Sequence, residues 1–525
     1  MAGDPLHIAL TGAGPRALGA AEALAAGARG RPLSLDLYDP QQPGGAGPNF
    51  DPAQSPLCLL NTPLRNLDLP GAAFRDWLPA DRRDPDSFPP RSEIGAWLAA
   101  RLAALIAHPP PGVSVQLIPA RVTGLERAGR GWRLSSTAGA TDYAHVALIP
   151  GQPQTAPDDQ LAAWQRHAGA SGATLAPAYP ANALLQSARA WTGRTVAIRG
   201  LGLSTLDVLR LLTLGAGGRL KAGRYLPSGR EPARILPFSR DGLPPWPKPE
   251  TAAIDRRFDP LRAETAAFRQ ALAQAMTDSP GPAMERICAA LIVPARRILG
   301  TGEGLRAWLE AERDSPGSQE TRPAAEVLRH GIAMAEGGAP DPGYTLGQIW
   351  RKWQSGLREG FDPSARPETI RALNDFDEGM KRISYGPPVC IARELDALLR
   401  AGIVTLCAAD DPEVETVPGG WRITEGGTQH TASVMIDAVL PAPKLDTLRD
   451  PLLAGLRDAG HLTPCPATGA LRTDAAGRVL GRDGAVPGLT LLGRMALGSV
   501  IAPDSLHDCF GETTRRHARA VLDPD

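Results

Sequence analysis

Gly12, Gly14 and Ala17 stand as G-x-G-x-x-A directly after a short apolar run, H-I-A-L-T. Asp39 closes a second such run, L-S-L-D-L-Y-D. Residue types in this order bind a pyrophosphate. The first glycine permits a tight turn and the second lets the backbone approach the phosphates. The helix that opens at Pro15 and Arg16 then offers free N–H groups and its dipole to the anion. Asp39 lies twenty residues beyond Gly19, about where an acid reaches a ribose 2′-hydroxyl. Strand before, helix after and acid at the right distance predict a dinucleotide site rather than a bare strand–helix turn.

The same pattern recurs in T-V-A-I-R-G-L-G-L-S-T-L-D, where Gly200 and Gly202 take the first two places and Thr205 the third, with Ser204 opening the helix. That helix has an apolar face of Leu203, Leu206, Val208, Leu209, Leu211 and Leu212. If I-L-P-F is the second strand of this unit, Ser239 and Arg240 stand at its end, with Arg230 and Arg234 nearby. An arginine there grips the 2′-phosphate of NADP with two hydrogen bonds, so NADPH is expected over NADH. Between the two turns, S-P-L-C-L-L-N-T-P-L-R-N-L sets Asn61, Thr62, Arg65 and Asn66 in an apolar stretch. These are candidates to hold a flavin ring or a substrate, with ordinary loop hydrogen bonding as the plain alternative. Of the isolated histidines, His507 sits in a C-terminal loop with Arg494, Ser499 and Asp504, and is the candidate for a catalytic part. There is no G-x-S-x-G elbow and no Walker loop, which speaks against hydrolase and kinase chemistry.

Several elements must position these groups. Ser92 is placed to cap a helix with apolar face Ile94, Trp97, Leu98, Leu102 and Leu105. From Val113 to Gly151 three short strands lead to an apolar strand, Y-A-H-V-A-L-I, as a β-meander returning to a parallel sheet does. Residues 152–190 read as a linker. A-G-I-V-T-L-C-A, G-G-W-R-I-T and S-V-M-I-D-A-V-L-P repeat the strand set after the second glycine turn, so the architecture is duplicated. Pro249 to Tyr385 is mainly helical, and Trp350, Trp353 and Leu357 share one helix face there. G-L-T-L-L-G near the end is a buried strand, and a last helix is expected over 508–522. The expected fold class is α/β, with two Rossmann-like dinucleotide-binding domains, β-meanders and a helical insertion. The expected partition is 1–165 and 441–525 for the first domain, 190–248 and 386–440 for the second, and 249–385 for the insertion.

Composition narrows the functional classes. The 525 residues carry 56 Lys plus Arg and 56 Asp plus Glu, and no basic run, so no nucleic-acid partner is expected. Six scattered cysteines form no C-x-x-C and no Cys/His ligand spacing, so neither a dithiol centre nor a metal site is indicated. No apolar run approaches the ~18 residues of a membrane span, and no signal segment precedes the first strand. A cytoplasmic protein with no membrane partner is expected. Homo-oligomerisation is left open.

With both turns, both meanders and the final strand in view, the chain resembles the two-dinucleotide-domain, glutathione-reductase-like flavoproteins. More narrowly it is similar to a bacterial FAD/NAD(P)-binding group related to flavin-dependent N-hydroxylating monooxygenases. That group includes FAD-dependent urate hydroxylases and amino-acid N-oxygenases that make nitrosuccinate. The stretches that carry the resemblance are G-A-G-P-R-A-L-G, L-L-N-T-P, F-P-P-R-S-E-I-G-A-W-L, G-L-G-L-S-T-L-D, P-S-G-R-E-P, S-R-D-G-L-P and Y-G-P-P. It implies FAD on the first unit, through Gly12, Gly14, Pro15, Arg16, Ala17, Asp39, Asn61, Thr62, Gly151, Gly493 and Arg494. It implies NADPH or NADH on the second, through Gly200, Gly202, Ser204, Thr205, Ser239 and Arg240. Three positions depart from the group's pattern: I-P-G replaces A-T-G at 149–151, G-R replaces G-D at 493–494, and Thr205 replaces a small residue. The lost acid at 494 shifts the ribityl contact to Asp504 or a backbone N–H.

The implied reaction is NAD(P)H-dependent monooxygenation. A C4a-hydroperoxyflavin would pass oxygen to a small nitrogen-containing substrate such as an amine, amino acid or purine, with molecular oxygen as co-substrate. Asn61, Arg65 and His507 are the expected flavin-face or substrate contacts. The rival readings are a flavin oxidoreductase that reduces a small acceptor without inserting oxygen, and a non-catalytic nucleotide-binding sensor.

Overall fold

A strand that is apolar on both faces must be covered on both, and the run Leu6–Thr11 meets that condition at the middle of a parallel sheet. The computed structural model describes residues 5–409 and 413–523. The first sheet has six strands in the order Arg478–Gly481, Gly484–Leu491, His145–Leu148, Leu6–Thr11, Leu33–Tyr38 and Val113–Ile118. All neighbours are parallel except the first pair, an antiparallel hairpin at the edge. The second sheet has five parallel strands, Thr174–Pro177, Val434–Asp437, Thr195–Arg199, Arg234–Ser239 and Cys407–Ala408. In both, strand, glycine turn and helix are followed later by a three-stranded meander and a returning strand. This is the α/β fold with two Rossmann-like units expected from the sequence.

The details differ from expectation in four places. V-S-V-Q-L-I joins the parallel sheet as its edge, so the first meander is Val122–Ala128, Gly131–Ser136 and Gly139–Tyr143. Residues 152–190, expected as a linker, hold two helices, Asp159–Ser171 and Ala181–Ala188, around the edge strand Thr174–Pro177. The stretch 401–408 pairs only at Cys407–Ala408 and through a Val404 bridge. Helix Arg91–Ala107 starts after Pro90 with no side-chain cap, so Ser92 is not its N-cap.

The chain's end completes its beginning. Phe510, Ala518, Val521 and Leu522 share one core with Ala17, Leu18, Leu24 and the sheet. Arg16, buried in the first helix (Pro15–Gly27), donates to Asp508 at 2.8 Å and to the Pro503 carbonyl at 2.9 Å. Between the units, seven helices from Ala252–Asp255 to Pro367–Ser384 form a separate core around Trp350, Trp353, Phe268 and Tyr344. Trp353 stacks on Phe268 at 4.3 Å and Trp350 donates to Asp377 at 2.8 Å, so the aromatic face is structural. Among the described residues no helix is long and apolar enough to cross a membrane.

Candidate functional site

Gly12 has a φ of +135°, and a Cβ there would fall 2.4 Å from the Ile149 carbonyl oxygen, so only glycine makes this turn. Gly14 caps the first helix, no side chain makes a cap hydrogen bond there, and Pro15 opens it. Ala17 is fully buried beneath the turn. The Asp39 carboxylate accepts the Ala13 N–H and the Gln41 N–H, each at 2.9 Å, which fixes it beside the glycine turn. An uncapped helix N-terminus with an acid held at its shoulder suits a dinucleotide's phosphates and ribose.

The second turn is built alike, with Gly200 at φ +102° and Gly202 capping helix Leu203–Thr213. Thr205, the departure from a small third residue, is fully buried and donates its hydroxyl to the Gly200 carbonyl at 2.7 Å. It braces the turn from inside, so the larger side chain does not fill the approach. Ser239 ends the strand Arg234–Ser239 and donates to Asp241 at 2.7 Å, while Arg240 follows it at the exposed strand end.

A cleft of about 610 Å³ runs between the two units. Asn61 and Thr62 reach it from the first, and Gly202, Ser204 and Ser239 from the second. Asp504 and Leu506 enter from the C-terminal segment, and Lys248, Lys381 and Tyr385 from the insertion and its ends. Asp504 pairs with Arg494 at 2.9 Å and with Lys381 at 3.4 Å. Burial works to raise its carboxyl pKa, but the two cations outweigh it and hold the group below the ordinary carboxylate range. Arg494 therefore takes its place as the partner of the cleft acid.

Two of the expected contacts stand just outside the cleft lining. Arg65 does not line the cleft; its guanidinium pairs with Asp86 and donates to the Pro249 carbonyl at 3.3 Å. Since Asp86 also accepts the Ala252 N–H at 2.9 Å, this cluster fastens the 61–66 loop to the insertion. His507 also lies outside the lining and bonds the Asn66 carbonyl through Nε2, which must donate because a carbonyl only accepts. Burial lowers its pKa against the pull of that carbonyl, and the ring tethers the C-terminal segment to the Asn66 loop. The Arg16 guanidinium is held by Asp508 and the Pro503 carbonyl, and Gly151 sits at an exposed bend with φ +61°.

Sequence reasoning missed Arg91, Asp207 and Tyr179. Arg91 of the first unit ion-pairs with Asp207 of the second, and Asp207 accepts the Tyr179 hydroxyl at 2.5 Å. Both charged residues line the cleft. Their signal was present in F-P-P-R-S-E and G-L-G-L-S-T-L-D, but nothing in either stretch says that they meet. Lys248 was missed as well, a buried lysine within P-P-W-P-K-P.

Residues 9–153 match the FAD-NAD(P)-binding family. That stretch, the opening part of the first unit, is an FAD-NAD(P)-binding domain. Beyond this domain, the chain is similar to the L-aspartate N-monooxygenase (nitrosuccinate-forming) of Streptomyces davaonensis, at 26% identity over 571 positions covering 86% of this chain and 85% of that protein. It is also 32% identical over 266 residues to the nitrosuccinic acid synthase of Aspergillus oryzae, a match spanning 45% of this chain and only 40% of that protein. Among solved structures, the reduced ornithine hydroxylase of Pseudomonas aeruginosa superposes with a TM-score of 0.52 at 13% identity, with 99% of each chain covered. The Kutzneria ornithine N-hydroxylase, solved with reduced FAD, NADP+ and L-ornithine, gives 0.50 at 12% identity, again over 99% of each. At such identities the likeness is one of fold, and it is the two-dinucleotide-domain flavoprotein fold.

Proposed function

We propose that this chain is an FAD-dependent, NAD(P)H-using monooxygenase that hydroxylates the nitrogen of a small amino acid, aspartate being the first candidate. The observation that carries this reading is the cleft between the two units, which the Asn61–Thr62 loop and the Gly202–Ser204 turn both reach. FAD would be held by Gly12, Gly14 and Asp39 and would extend toward Asn61 and Thr62. NADPH would be held by Gly200, Gly202, Ser204 and Thr205, with Ser239 and Arg240 at its ribose phosphate. In this reading residues 1–165 with 441–525 form the FAD domain, and 190–248 with 386–440 the NAD(P) domain. Residues 249–385 wall the pocket, and the edge strand Thr174–Pro177 extends the second domain upstream.

The chemistry that bound FAD supplies is acceptance of a hydride from NAD(P)H and activation of molecular oxygen. The protein's part is placement and exclusion of water. Leu59, Leu60, Leu243, Leu440 and Ala502 give the cleft apolar walls, and burial there strengthens each polar contact. Asn61, an amide with donor and acceptor, is placed to orient a ring edge or a substrate. The aspartate candidate follows from the long match to an aspartate N-monooxygenase.

The test is to purify the yellow protein, supply NADPH, oxygen and aspartate, and analyse products by mass spectrometry. An N-oxygenated amino acid formed in proportion to NADPH consumed is expected. NADPH consumption that yields only hydrogen peroxide, for every amino acid tried, would refute the monooxygenase reading and favour the plain oxidoreductase.

A further inference from the structure

Four cations line the cleft, and three of them are neutralised. Arg91 meets Asp207, Lys381 meets Glu378 and Asp504, and Arg382 meets Glu312 at 3.0 Å. Lys248 is different. Its side chain bonds the backbone carbonyl of Asn61, a neutral acceptor, and among the described residues no carboxylate lies within ion-pairing distance of it. The residue is only 8% exposed. A buried ammonium without a counter-ion is costly unless something pairs with it. Burial, with Arg351 and Arg65 repelling and Asp255 opposing, pushes its pKa down to about 7.

The geometry around Lys248 is rigid. The Trp246 N–H donates to the Arg382 carbonyl at 3.0 Å and the Lys248 N–H to the Pro387 carbonyl at 2.9 Å. A Cβ on Gly386 would overlap the Trp246 carbonyl oxygen at 1.4 Å, so the two segments are in the closest backbone contact that glycine permits. The Arg382 guanidinium lies over the Trp246 ring at 5.4 Å, and its Nε and Nη1 are buried with no hydrogen-bond partner. Thus Lys248, held on the Asn61 carbonyl, and Arg382, which keeps two unbonded guanidinium nitrogens although Glu312 and Asp241 lie beside it, are mounted on one wedge that lines the cleft.

We propose that Lys248 reads a carboxylate of the substrate, with Arg382 beside it on Trp246 as the second cationic contact, so that the cleft selects acidic amino acids over basic ones. This rests on the reading of the chain as an amino-acid monooxygenase. The same chemistry would also suit a phosphate of the nicotinamide cofactor, and binding measurements separate the two anions.

The experiment uses FAD-loaded protein and measures equilibrium binding of radiolabelled aspartate, of ornithine and of NADP+ to the wild type, Lys248→Met and Lys248→Gln. Methionine removes a buried unpaired charge, which costs the fold little. Glutamine keeps a donor for Asn61, so a loss shared by both variants belongs to the charge. Flavin absorbance confirms that each variant is loaded. The expected result is aspartate affinity weakened about tenfold or more in both variants, as for loss of one charge-assisted hydrogen bond. NADP+ affinity should move much less, and the preference for aspartate over ornithine should narrow. Unchanged aspartate affinity in the loaded variants overturns the proposal while leaving the monooxygenase reading intact. So does a tenfold loss confined to NADP+, which would give the lysine to a cofactor phosphate. A wild type that binds no acidic amino acid removes the aspartate reading itself, and the proposal with it.

Discussion

Replacing Asp207 by alanine takes the acid out of a buried contact that joins the two sheet units. The Arg91 side chain is 12% exposed and that of Asp207 6%, so water cannot readily replace the lost carboxylate. The Tyr179 hydroxyl, which donates to Asp207 at 2.5 Å, loses its acceptor as well. Removing one partner of such a pair costs about 3–5 kcal/mol, because the remaining charge stays buried and unpaired. The natural control is Asp142→Ala, which breaks a pair with Arg133 whose side chains are 57% and 56% exposed. A pair so exposed adds little to stability, because solvent screens it. The assay is urea unfolding of the FAD-loaded protein, followed by tryptophan fluorescence and flavin release together. Asp207→Ala should lower the midpoint several times more than Asp142→Ala. The double variant Arg91→Met, Asp207→Leu should recover most of the loss, since apolar groups of similar size replace a buried pair at little cost. A loss no larger than that of the exposed control, or a double variant worse than Asp207→Ala, would refute the argument.

Gly14→Val keeps an ordinary φ of −78° and would place its side chain where the helix N-terminus meets its ligand, so it should fold but purify without flavin, read from the ratio of visible to ultraviolet absorbance. Arg240→Ser should raise the KM for NADPH about tenfold, for loss of contacts to a 2′-phosphate, and leave that for NADH almost alone; equal effects on both would remove Arg240 from the phosphate. His517 is fully buried and bonds Thr490 at 2.9 Å, and burial, with His145 adding to it, pushes its pKa down to about 3. Its folded-state pKa is depressed, so between about 6.5 and 3 the unfolded chain takes up a proton that the folded one refuses. Stability from this group is full above about 6.5 and declines as pH falls, by up to roughly 1.4 kcal/mol per unit. His517→Gln should flatten the acid limb of the unfolding midpoint against pH, and an unchanged limb would contradict the assignment.

What could be read from residues alone was whatever has a period or a fixed offset. Both glycine turns, the strand Gly484–Leu491 and the Trp350–Leu357 helix face follow from patterns a few residues long. The edge strand Thr174–Pro177 is four residues, half-exposed and ended by a proline, too short to show alternation. The surroundings of Arg65 and Lys248 were hidden for one reason. Each is a lone cation in an irregular stretch, and its role depends on whether a distant acid comes to meet it. Asp86 meets Arg65, whereas Lys248 finds only a carbonyl. Pairing across elements has no local signature, so the cleft's charge pattern needed the fold.

The strand Gly484–Leu491 and the helix Glu512–Leu522 belong to a unit that begins at residue 6. During synthesis, the first glycine turn leaves the ribosome long before the strand that covers His145–Leu148 has been made. Through that interval one side of the sheet has no neighbour, and Leu18, Leu24 and Ala21 lack part of their cover. The second unit and the helical insertion lie wholly within the gap, so they can fold while the first waits. A nascent chain stalled before residue 484 should therefore retain no flavin and present an open strand edge, the state in which such proteins need a chaperone.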